Sequence, residues 1–298
     1  MIRARMAPLE TWVFLGLGLT AVALFGMGAS PVSDDVLLAV LALAVALFGL
    51  PHGALDPWVA KQAGIWRTAS GLAAFHVVYV ALAAAVVAVW WWAPATSLAL
   101  FLAISAWHFA GDWRDALPVA SRAIAGLALL ALPAWRWTAE VSDLFVALSG
   151  PAGAWVAQGL AQLAPWLAAG TLAVVASVLP RSRRTALELL AVGALALLLP
   201  PLVYFMVYFC ALHSLRHLRH SARDSDAASR RRMAWVAAGY TGLTLVAAAF
   251  AWPWLATATP AALPGAELLR LVFIGLAALT LPHMLVVMRA EQAIGDRA

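Results

Sequence analysis

Residues 70–92 read SGLAAFHVVYVALAAAVVAVWWW, a run of 23 residues that contains no Asp, Glu, Lys or Arg. A helix needs about 20 consecutive, mostly apolar residues to cross the hydrocarbon core of a bilayer, which is about 30 Å thick. This run therefore predicts a transmembrane helix. Comparable apolar runs recur along the whole chain, so the sequence predicts an all-α, polytopic helical membrane protein.

The composition agrees with this class of protein. Of 298 residues, 64% are hydrophobic and 11% are charged, and the mean hydropathy is +0.90. Soluble domains carry roughly 25% charged residues. The net charge of +5 does not indicate nucleic-acid binding, because the basic residues form short clusters between apolar runs, where they determine membrane topology.

We predict one integral membrane domain over residues 1–298, with about eight to ten transmembrane segments and a core from about 36 to 288. Residues 138–163 are less hydrophobic and are expected to lie along the membrane interface, and Pro165 is interpreted as a break between segments. The candidate spans are 11–28, 36–51, 70–92, 97–110, 122–134, 164–180, 186–199, 200–215, 234–252 and 267–288.

Residues 186–215 are compatible with two interpretations. They could form one long, tilted helix or two short helices arranged as a hairpin. Basic clusters at 181–184 and 216–232 flank this stretch, and both favour the cytoplasm, which requires an even number of crossings between them. Pro200 and Pro201 provide a break, because proline lacks a backbone donor and clashes with the preceding turn. The hairpin is the favoured interpretation.

Histidine is distributed unevenly along the predicted spans. With the basic clusters in the cytoplasm, six of the seven histidines lie at cytoplasmic ends of spans, whereas His76 lies in the middle of one and is expected to form a helix–helix hydrogen bond. Ionisable residues in spans usually mark functional sites, and neutral imidazole is the commonest metal ligand. We therefore predict a shared metal site toward the cytoplasmic side. The six residues are His52, His108, His213, His217, His220 and His283.

The stretch ALHSLRHLRH, residues 211–220, contains three of these histidines. At 100° per residue, His213, His217 and His220 share one helix face, so spacing alone does not say which of them bind an ion. His213 and His217 are one turn apart, the separation at which two imidazoles reach one ion, whereas His220 is expected to be solvated. A nitrogen-rich ligand set suits iron, copper or zinc rather than calcium or magnesium.

Two of the histidines are followed four residues later by an aspartate. His52 precedes Asp56 and His108 precedes Asp112, a spacing at which helical side chains are neighbours. A metal-bound imidazole usually donates its second N–H to a carboxylate or carbonyl, so we expect each aspartate to orient the histidine before it. The alternative is a carboxylate at a helix end, which Pro57 favours for Asp56.

The motifs PHGALD (51–56), AWHFAGDW (106–113), HSLRHL (213–218) and LPHM (281–284), in this order, resemble those of the Brp/Blh family of bacterial β-carotene 15,15′-dioxygenases. The resemblance implies an integral enzyme of the cytoplasmic membrane with a non-haem Fe(II). Such an enzyme uses O2 to cleave the central double bond of β-carotene into two all-trans-retinal molecules, which a retinal-binding rhodopsin could then accept. The implied metal ligands are His52, His108, His213 and His217, with His283 as a possible fifth ligand or a pocket residue.

An enzyme of this kind also needs a slot for a conjugated hydrocarbon. Phe205 and Phe209 precede His213 by two turns and one turn, so they share its stripe, and Tyr204 and Tyr208 lie beside them. These four aromatic residues and Trp107, which adjoins His108, are candidates for contact with the substrate. Ordinary aromatic packing is the alternative.

Two other functions remain as alternatives. A di-iron membrane hydroxylase or desaturase would carry further histidine boxes, including adjacent histidine pairs, and the sequence contains none. A metal or proton transporter would need polar residues through the full depth of the membrane, or an inverted repeat with broken helices. The polar groups of this chain instead cluster at one face of the membrane, and the parts of the spans in the opposite half of the membrane are almost entirely Ala, Leu and Val.

Overall fold

The structure, a computed structural model, describes residues 8–26, 32–223, 225–256 and 265–295. Every regular element in these ranges is a helix, which confirms the all-α prediction. Within the same ranges, seven helices are long and apolar enough to cross a membrane, judged by length and composition. They are Asp34–Gln62, Ala69–Trp92, Pro94–Trp113, Val119–Arg136, Gly153–Val178, Ala227–Trp254 and Ala266–Ala293.

Several of the spanning helices are composite. Two π-helical stretches, Val45–Gly49 and Val207–Ser214, and one 3₁₀ turn, Gly111–Trp113, continue neighbouring α-helices. In chain order, the α-helices are α1 (Leu9–Phe25), α2 (Asp34–Ala44), α3 (Leu50–Gly53), α4 (Asp56–Gln62), α5 (Ala69–Trp92), α6 (Pro94–Ala110), α7 (Val119–Arg136), α8 (Thr138–Ser149), α9 (Gly153–Val178), α10 (Arg183–Leu198), α11 (Pro201–Met206), α12 (Leu215–Ser221), α13 (Ala227–Ala256) and α14 (Ala266–Gly295).

Three predicted spans correspond to helices that are shorter or less apolar than the seven candidate membrane-spanning helices. The span 11–28 corresponds to α1, and its residues 27–28 lie outside the described ranges. The spans 186–199 and 200–215 correspond to α10 and to the continuous α11–α12 segment.

The prediction for residues 138–163 is wrong for its second half. Only residues 138–149 form a short separate helix, α8. Residues 153–163 belong to α9, which continues through Pro165 as one helix of 26 residues. Proline is tolerated inside membrane helices because neighbouring groups can satisfy the backbone carbonyl that it frees, so Pro165 does not break the span.

The hairpin interpretation of residues 186–215 is confirmed. Helix α10 ends at Leu198, and Leu199 and Pro200 have ψ angles of 145°, outside the helical region. Beyond this break, the Nη2 of Arg216 donates a hydrogen bond of 2.7 Å to Glu188. These two residues lie far from the break on opposite arms, so the arms run back alongside each other.

Close helix packing brings the segments around the site together. The Cα of Gly126 on α7 lies so near to α6 that an added Cβ would be 2.1 Å from the carbonyl oxygen of Ala106. Small residues permit this approach between membrane helices. Helix α14 packs against α6, and α3 packs against α12 and the π-helical stretch Val207–Ser214. The histidine-bearing segments therefore face one another inside the bundle.

Candidate metal centre

Five histidines from four separate segments converge inside the bundle. One ring nitrogen from each of His52, His108 and His283 lies within 4.8 Å of the other two, and the same holds for His108, His213 and His217. The ring centroids of His108 and His213 are 4.6 Å apart, and those of His52 and His283 are 5.2 Å apart. The convergence expected from topology is therefore present, and His283 lies within the cluster.

The other two histidines lie outside this cluster. His220 is exposed near the end of α12, as expected. The Nε2 of His76 on α5 is 2.8 Å from the hydroxyl of Tyr240 on α13, and its Nδ1 is 2.8 Å from the carbonyl of Leu72. The predicted helix–helix hydrogen bond of His76 is confirmed.

Hydrogen bonds determine which ring nitrogens remain free in the cluster. The Nδ1 of His213 is 3.1 Å from Asp112, the Nδ1 of His283 is 2.7 Å from Asp56, and the Nδ1 of His52 is 2.5 Å from the carbonyl of Gly49. Each of these acceptors requires a protonated Nδ1. The neutral tautomer of each ring therefore presents Nε2 as its lone-pair nitrogen.

Two of the remaining nitrogens test whether the cluster fits a metal. The Nε2 atoms of His213 and His283 are buried and have no hydrogen-bond partner among the described residues. Leaving a buried polar atom unpaired costs about 1–3 kcal/mol. In both rings the other nitrogen, Nδ1, bonds a carboxylate, and the unpaired Nε2 lies in a buried space beside other imidazoles. This is the donor arrangement of a metal site.

The aspartates do not pair with the histidines predicted for them. Asp56 bonds His283 rather than His52, and Asp112 bonds His213 rather than His108. The prediction assumed a continuous α-helix through each motif. The chain instead turns at residues 54–55 between α3 and α4, and it tightens to a 3₁₀ turn at Gly111–Trp113, so the i,i+4 geometry is lost. Both carboxylates point at histidines of other helices.

Each aspartate also accepts a phenol hydrogen bond. The hydroxyl of Tyr79 is 2.8 Å from Asp56, and that of Tyr208 is 2.7 Å from Asp112. Sequence reasoning did not identify Tyr79. The signal available was a hydroxyl-bearing side chain, three residues after His76, in a span whose residues 71–92 are otherwise almost entirely apolar.

A buried network of charged residues holds the turn that carries Asp112. Glu188, only 1% exposed, accepts hydrogen bonds from Thr11 at 2.5 Å, from Trp113 at 3.0 Å and from Arg216 at 2.7 Å. The Nη1 of Arg216 also donates a hydrogen bond of 2.9 Å to the backbone carbonyl of Asp112. This network joins α1, α10 and α12 to the 3₁₀ turn beside the cluster.

A mostly apolar cavity lies against the histidines. Two of the predicted substrate contacts, Phe205 and Phe209, are in its wall. Their rings are stacked, with centroids 5.1 Å apart and an interplanar angle of 11°. The ring of Phe209 also stacks on that of His213, with centroids 5.7 Å apart. The residues of the wall that sequence reasoning did not identify include Phe75, His76, Tyr79, Phe101, Tyr240 and Leu276.

The other three predicted substrate contacts do not line this cavity. The hydroxyl of Tyr204 donates to the carbonyl of Leu129 at 3.2 Å, and Tyr208 is fully buried and bonds Asp112. The ring of Trp107 is half exposed on the outer face of α6, where the guanidinium of Arg122 lies over it. A residue beside His108 in the chain points away from it on a helix, which explains why Trp107 lies outside this cavity.

The family model described as "Beta-carotene 15,15'-dioxygenase" matches residues 43–289 of this chain. The chain belongs to this family. It is 31% identical to a "Beta-carotene 15,15'-dioxygenase" from an uncultured marine bacterium, over 83% of this chain and 91% of the relative. It is 28% identical to a "Probable beta-carotene 15,15'-dioxygenase Blh" from Halobacterium salinarum, over 98% of this chain and 94% of that protein. No solved structure matches the chain. All five clustered histidines fall within the range matched to the family, so the resemblance inferred from the motifs is confirmed.

Proposed function

We propose that this protein cleaves the central double bond of β-carotene with O2 at a histidine-bound, non-haem Fe(II), and that it releases two molecules of all-trans-retinal. One C40 hydrocarbon and one O2 give two C20 aldehydes, so a dioxygenase stoichiometry places one oxygen atom on each product. The observation that carries the proposal is the cluster of five histidines beside an apolar cavity in a member of the β-carotene dioxygenase family.

The proposed ligands are His52, His108, His213 and His217, with His283 as a fifth. The buried Nε2 of His283, which has no hydrogen-bond partner among the described residues, and the hydrogen bond from Nδ1 of the same ring to Asp56 support this role. An all-imidazole set suits iron among the available metals. Bound Fe(II) would supply the activation of O2 that a hydrocarbon double bond requires.

The residues of the chain have separate tasks in this proposal. Asp56 and Asp112 hold the Nδ1 protons of His283 and His213, and thereby keep both Nε2 atoms directed into the cluster. Phe205 and Phe209 provide flat faces along which a conjugated chain can stack beside His213. A polyene dissolved in the bilayer can approach an intramembrane cavity without crossing water.

We further propose that the protein resides in the cytoplasmic membrane of a bacterium, with the metal site toward the cytoplasmic side. Arg184, Arg216 and Arg219 lie in the charged network at the same end as the cluster, and arginine is enriched on the cytoplasmic side of membrane proteins. β-Carotene and O2 are the proposed substrates. A rhodopsin that binds retinal is the proposed downstream partner.

The two alternative functions have less support. A di-iron hydroxylase needs enough ligands for two ions, whereas His76 bonds Tyr240 and His220 is exposed outside the cluster. A transporter would need a polar path to the other face of the membrane. The cavity beside the cluster is instead lined largely by aromatic and aliphatic side chains.

Expression in a bacterial host that accumulates β-carotene tests the proposal. The wild-type chain should bleach the cells and yield all-trans-retinal, measured by liquid chromatography of extracts. The variant H108A should leave the colour, and H220A, which alters an exposed histidine outside the cluster, should behave like wild type. If the wild type accumulates in the membrane and retains the carotene despite added iron and oxygen, the proposal fails.

A further inference from the structure

Two histidines of the cluster are each held by a chain of hydrogen bonds that includes a tyrosine and an aspartate. The first of these histidines is His283. The hydroxyl of Tyr79 on α5 donates to Oδ2 of Asp56 at 2.8 Å. The other oxygen of this carboxylate, Oδ1, accepts from the Nδ1 of His283 on α14 at 2.7 Å. Asp56 is 2% exposed, so both of its oxygens are satisfied inside the protein. The chain of bonds runs from phenol to carboxylate to imidazole.

The histidine His213 is held by the same arrangement, built from unrelated segments. The hydroxyl of Tyr208 donates to Oδ2 of Asp112 at 2.7 Å, and Oδ1 of Asp112 accepts from the Nδ1 of His213 at 3.1 Å. The side chain of Asp112 is fully buried. The tyrosine bonds Oδ2 alone, whereas the Nδ1 of His213 is nearest to Oδ1 and also lies 3.3 Å from Oδ2.

Both chains of bonds end at the same kind of atom. The Nε2 atoms of His283 and His213 are the buried imidazole nitrogens that have no partner among the described residues. One nitrogen of each ring lies within 4.8 Å of a nitrogen of His108. A carboxylate with one oxygen unsatisfied could rotate or shift toward another donor, because burial of an unpaired charged oxygen is costly. The phenol removes this freedom.

We propose that Tyr79 and Tyr208 are positioning residues of the metal site, each of which holds the carboxylate that directs one histidine Nε2 at the ion. This inference rests on the proposed metal centre but not on the identity of the substrate. The tyrosines act through Asp56 and Asp112 and do not touch the ion. Hydrogen bonds to ionised carboxylates are roughly twice as strong as neutral ones, which makes a phenol an effective anchor.

The two tyrosines differ in how much else supports their carboxylate. Asp112 has further donors near it, because the Nη1 of Arg216 bonds its backbone carbonyl at 2.9 Å and the Nε2 of His217 is 3.7 Å from Oδ1. Among the described residues, the carboxylate of Asp56 has hydrogen bonds only from Tyr79 and His283. Loss of the Tyr79 hydroxyl is therefore expected to weaken the site more than loss of the Tyr208 hydroxyl.

The chain offers a matched control for both substitutions. It contains four tyrosines, and within the described part of the chain the hydroxyl of Tyr204 bonds only a backbone carbonyl, that of Leu129. The replacement Y204F deletes the same hydroxyl from a buried residue of the same segment as Tyr208, but it leaves both carboxylates intact. Any general effect of a buried tyrosine-to-phenylalanine change is measured by this variant.

The experiment is titration of the chelator-treated, detergent-purified full-length protein with Co²⁺ alone, followed by visible absorption. We expect Y79F to bind Co²⁺ about 10–100-fold more weakly than wild type, with altered ligand-field bands, in the range typical for loss of an orienting partner. Y208F should show a smaller loss in the same direction, and Y204F should match the wild type. Circular dichroism checks that each variant is folded. If Y79F does not fold, the comparison of Y208F with Y204F tests the inference.

A double-substitution cycle tests whether Tyr79 acts through Asp56. The variant carrying both Y79F and D56N should bind Co²⁺ no more weakly than D56N alone, because the second change removes the group that the tyrosine holds. Independent, additive losses would overturn the inference, as would wild-type affinity and spectrum in both Y79F and Y208F.

The wild-type protein distinguishes failure of the proposed function from failure of the metal centre. If it binds Co²⁺ but makes no retinal, the proposed function alone is refuted. If it binds no Co²⁺, the metal centre and this inference are both refuted.

Discussion

The Nδ1 of His283 donates a hydrogen bond of 2.7 Å to Asp56, a residue 227 positions earlier in the chain. Asp56 begins α4 and His283 lies within α14, so this contact joins the two ends of the region matched to the family. It also shows that the histidine four residues before an aspartate need not be its partner. The site is built from contacts between helices, which determines how its variants should behave.

The carboxylates that bond the histidines should matter even though neither is a predicted ligand. The variants D56N and D112N should each lower iron affinity or retinal formation about 10–100-fold, the usual cost of losing an orienting partner of a metal-bound histidine. Iron content of the purified protein and retinal yield measure the effect. The control D143N changes an exposed aspartate on α8 and should have no effect. Full iron loading and activity in D56N would contradict the role of Asp56.

The five clustered histidines should each be needed for function. Replacement of His52, His108, His213, His217 or His283 by alanine should reduce retinal formation more than the 10–100-fold expected for the aspartates, because a direct donor to the ion is lost. Retinal yield normalised to the amount of folded membrane protein measures this. The exposed His220 is the control. A variant among the five with normal turnover is thereby removed from the ligand set.

Removal of the metal should be reversible, and the metal should not be haem. Treatment with a chelator should abolish cleavage, and Fe²⁺ added under reducing conditions should restore it, whereas Zn²⁺ should not, because it has no redox chemistry. Elemental analysis together with the absorption spectrum measures both points. A strong Soret band in the active protein would contradict a histidine-bound non-haem site.

The stacked phenylalanines should affect the substrate more than the metal. We expect F205A and F209A to raise the KM for β-carotene about 2- to 12-fold, because a stacked aromatic contact contributes about 0.5–1.5 kcal/mol beyond area burial, while iron content stays normal. Phe250, 72% exposed on α13, supplies the control F250A. Unchanged KM in F209A would remove the aromatic wall from the proposed substrate site.

The buried charged network should affect stability directly. The variant E188A removes the nearer carboxylate of the largely buried Arg216, at 2.7 Å, and leaves it only the more distant Glu10, at 4.0 Å, among the described residues. Breaking a buried ion pair typically costs about 3–5 kcal/mol. We expect a clearly lower thermal unfolding midpoint in detergent and weaker iron binding, since Arg216 also holds the carbonyl of Asp112. E140A, which changes an exposed glutamate on α8, should unfold at the wild-type temperature.

The class of protein and the members of the cluster followed from local patterns. Long apolar runs predict spanning helices because the bilayer sets their length, and positions of basic residues predict which ends share a side. Those two rules placed six histidines on one side, five of which form the cluster, whereas His220 is exposed outside it. The set His52, His108, His213 and His217 was implied by the family resemblance. The hairpin at Pro200 followed from the same reasoning, because parity of crossings does not depend on helix geometry.

The errors arose where the helices depart from regular geometry. The pairing of Asp56 with His52 assumed an unbroken α-helix, but the chain turns between α3 and α4. Pro165 was interpreted as a break, but it lies inside α9. A single sequence contains no signal that distinguishes a proline at a boundary from one whose freed carbonyl is satisfied by neighbouring groups in the bundle.

The sequence by itself determined that this is a helical membrane protein with histidines gathered at one level, because bilayer thickness and imidazole chemistry act on each segment separately. Only the tertiary structure decided that Asp56 bonds His283 and that Asp112 bonds His213. It also decided that Tyr79 and Tyr208 donate hydrogen bonds to these two carboxylates. These hydrogen bonds join helices distant in the chain. Their partners are determined by how the helices rotate and pack against each other, which no local spacing specifies.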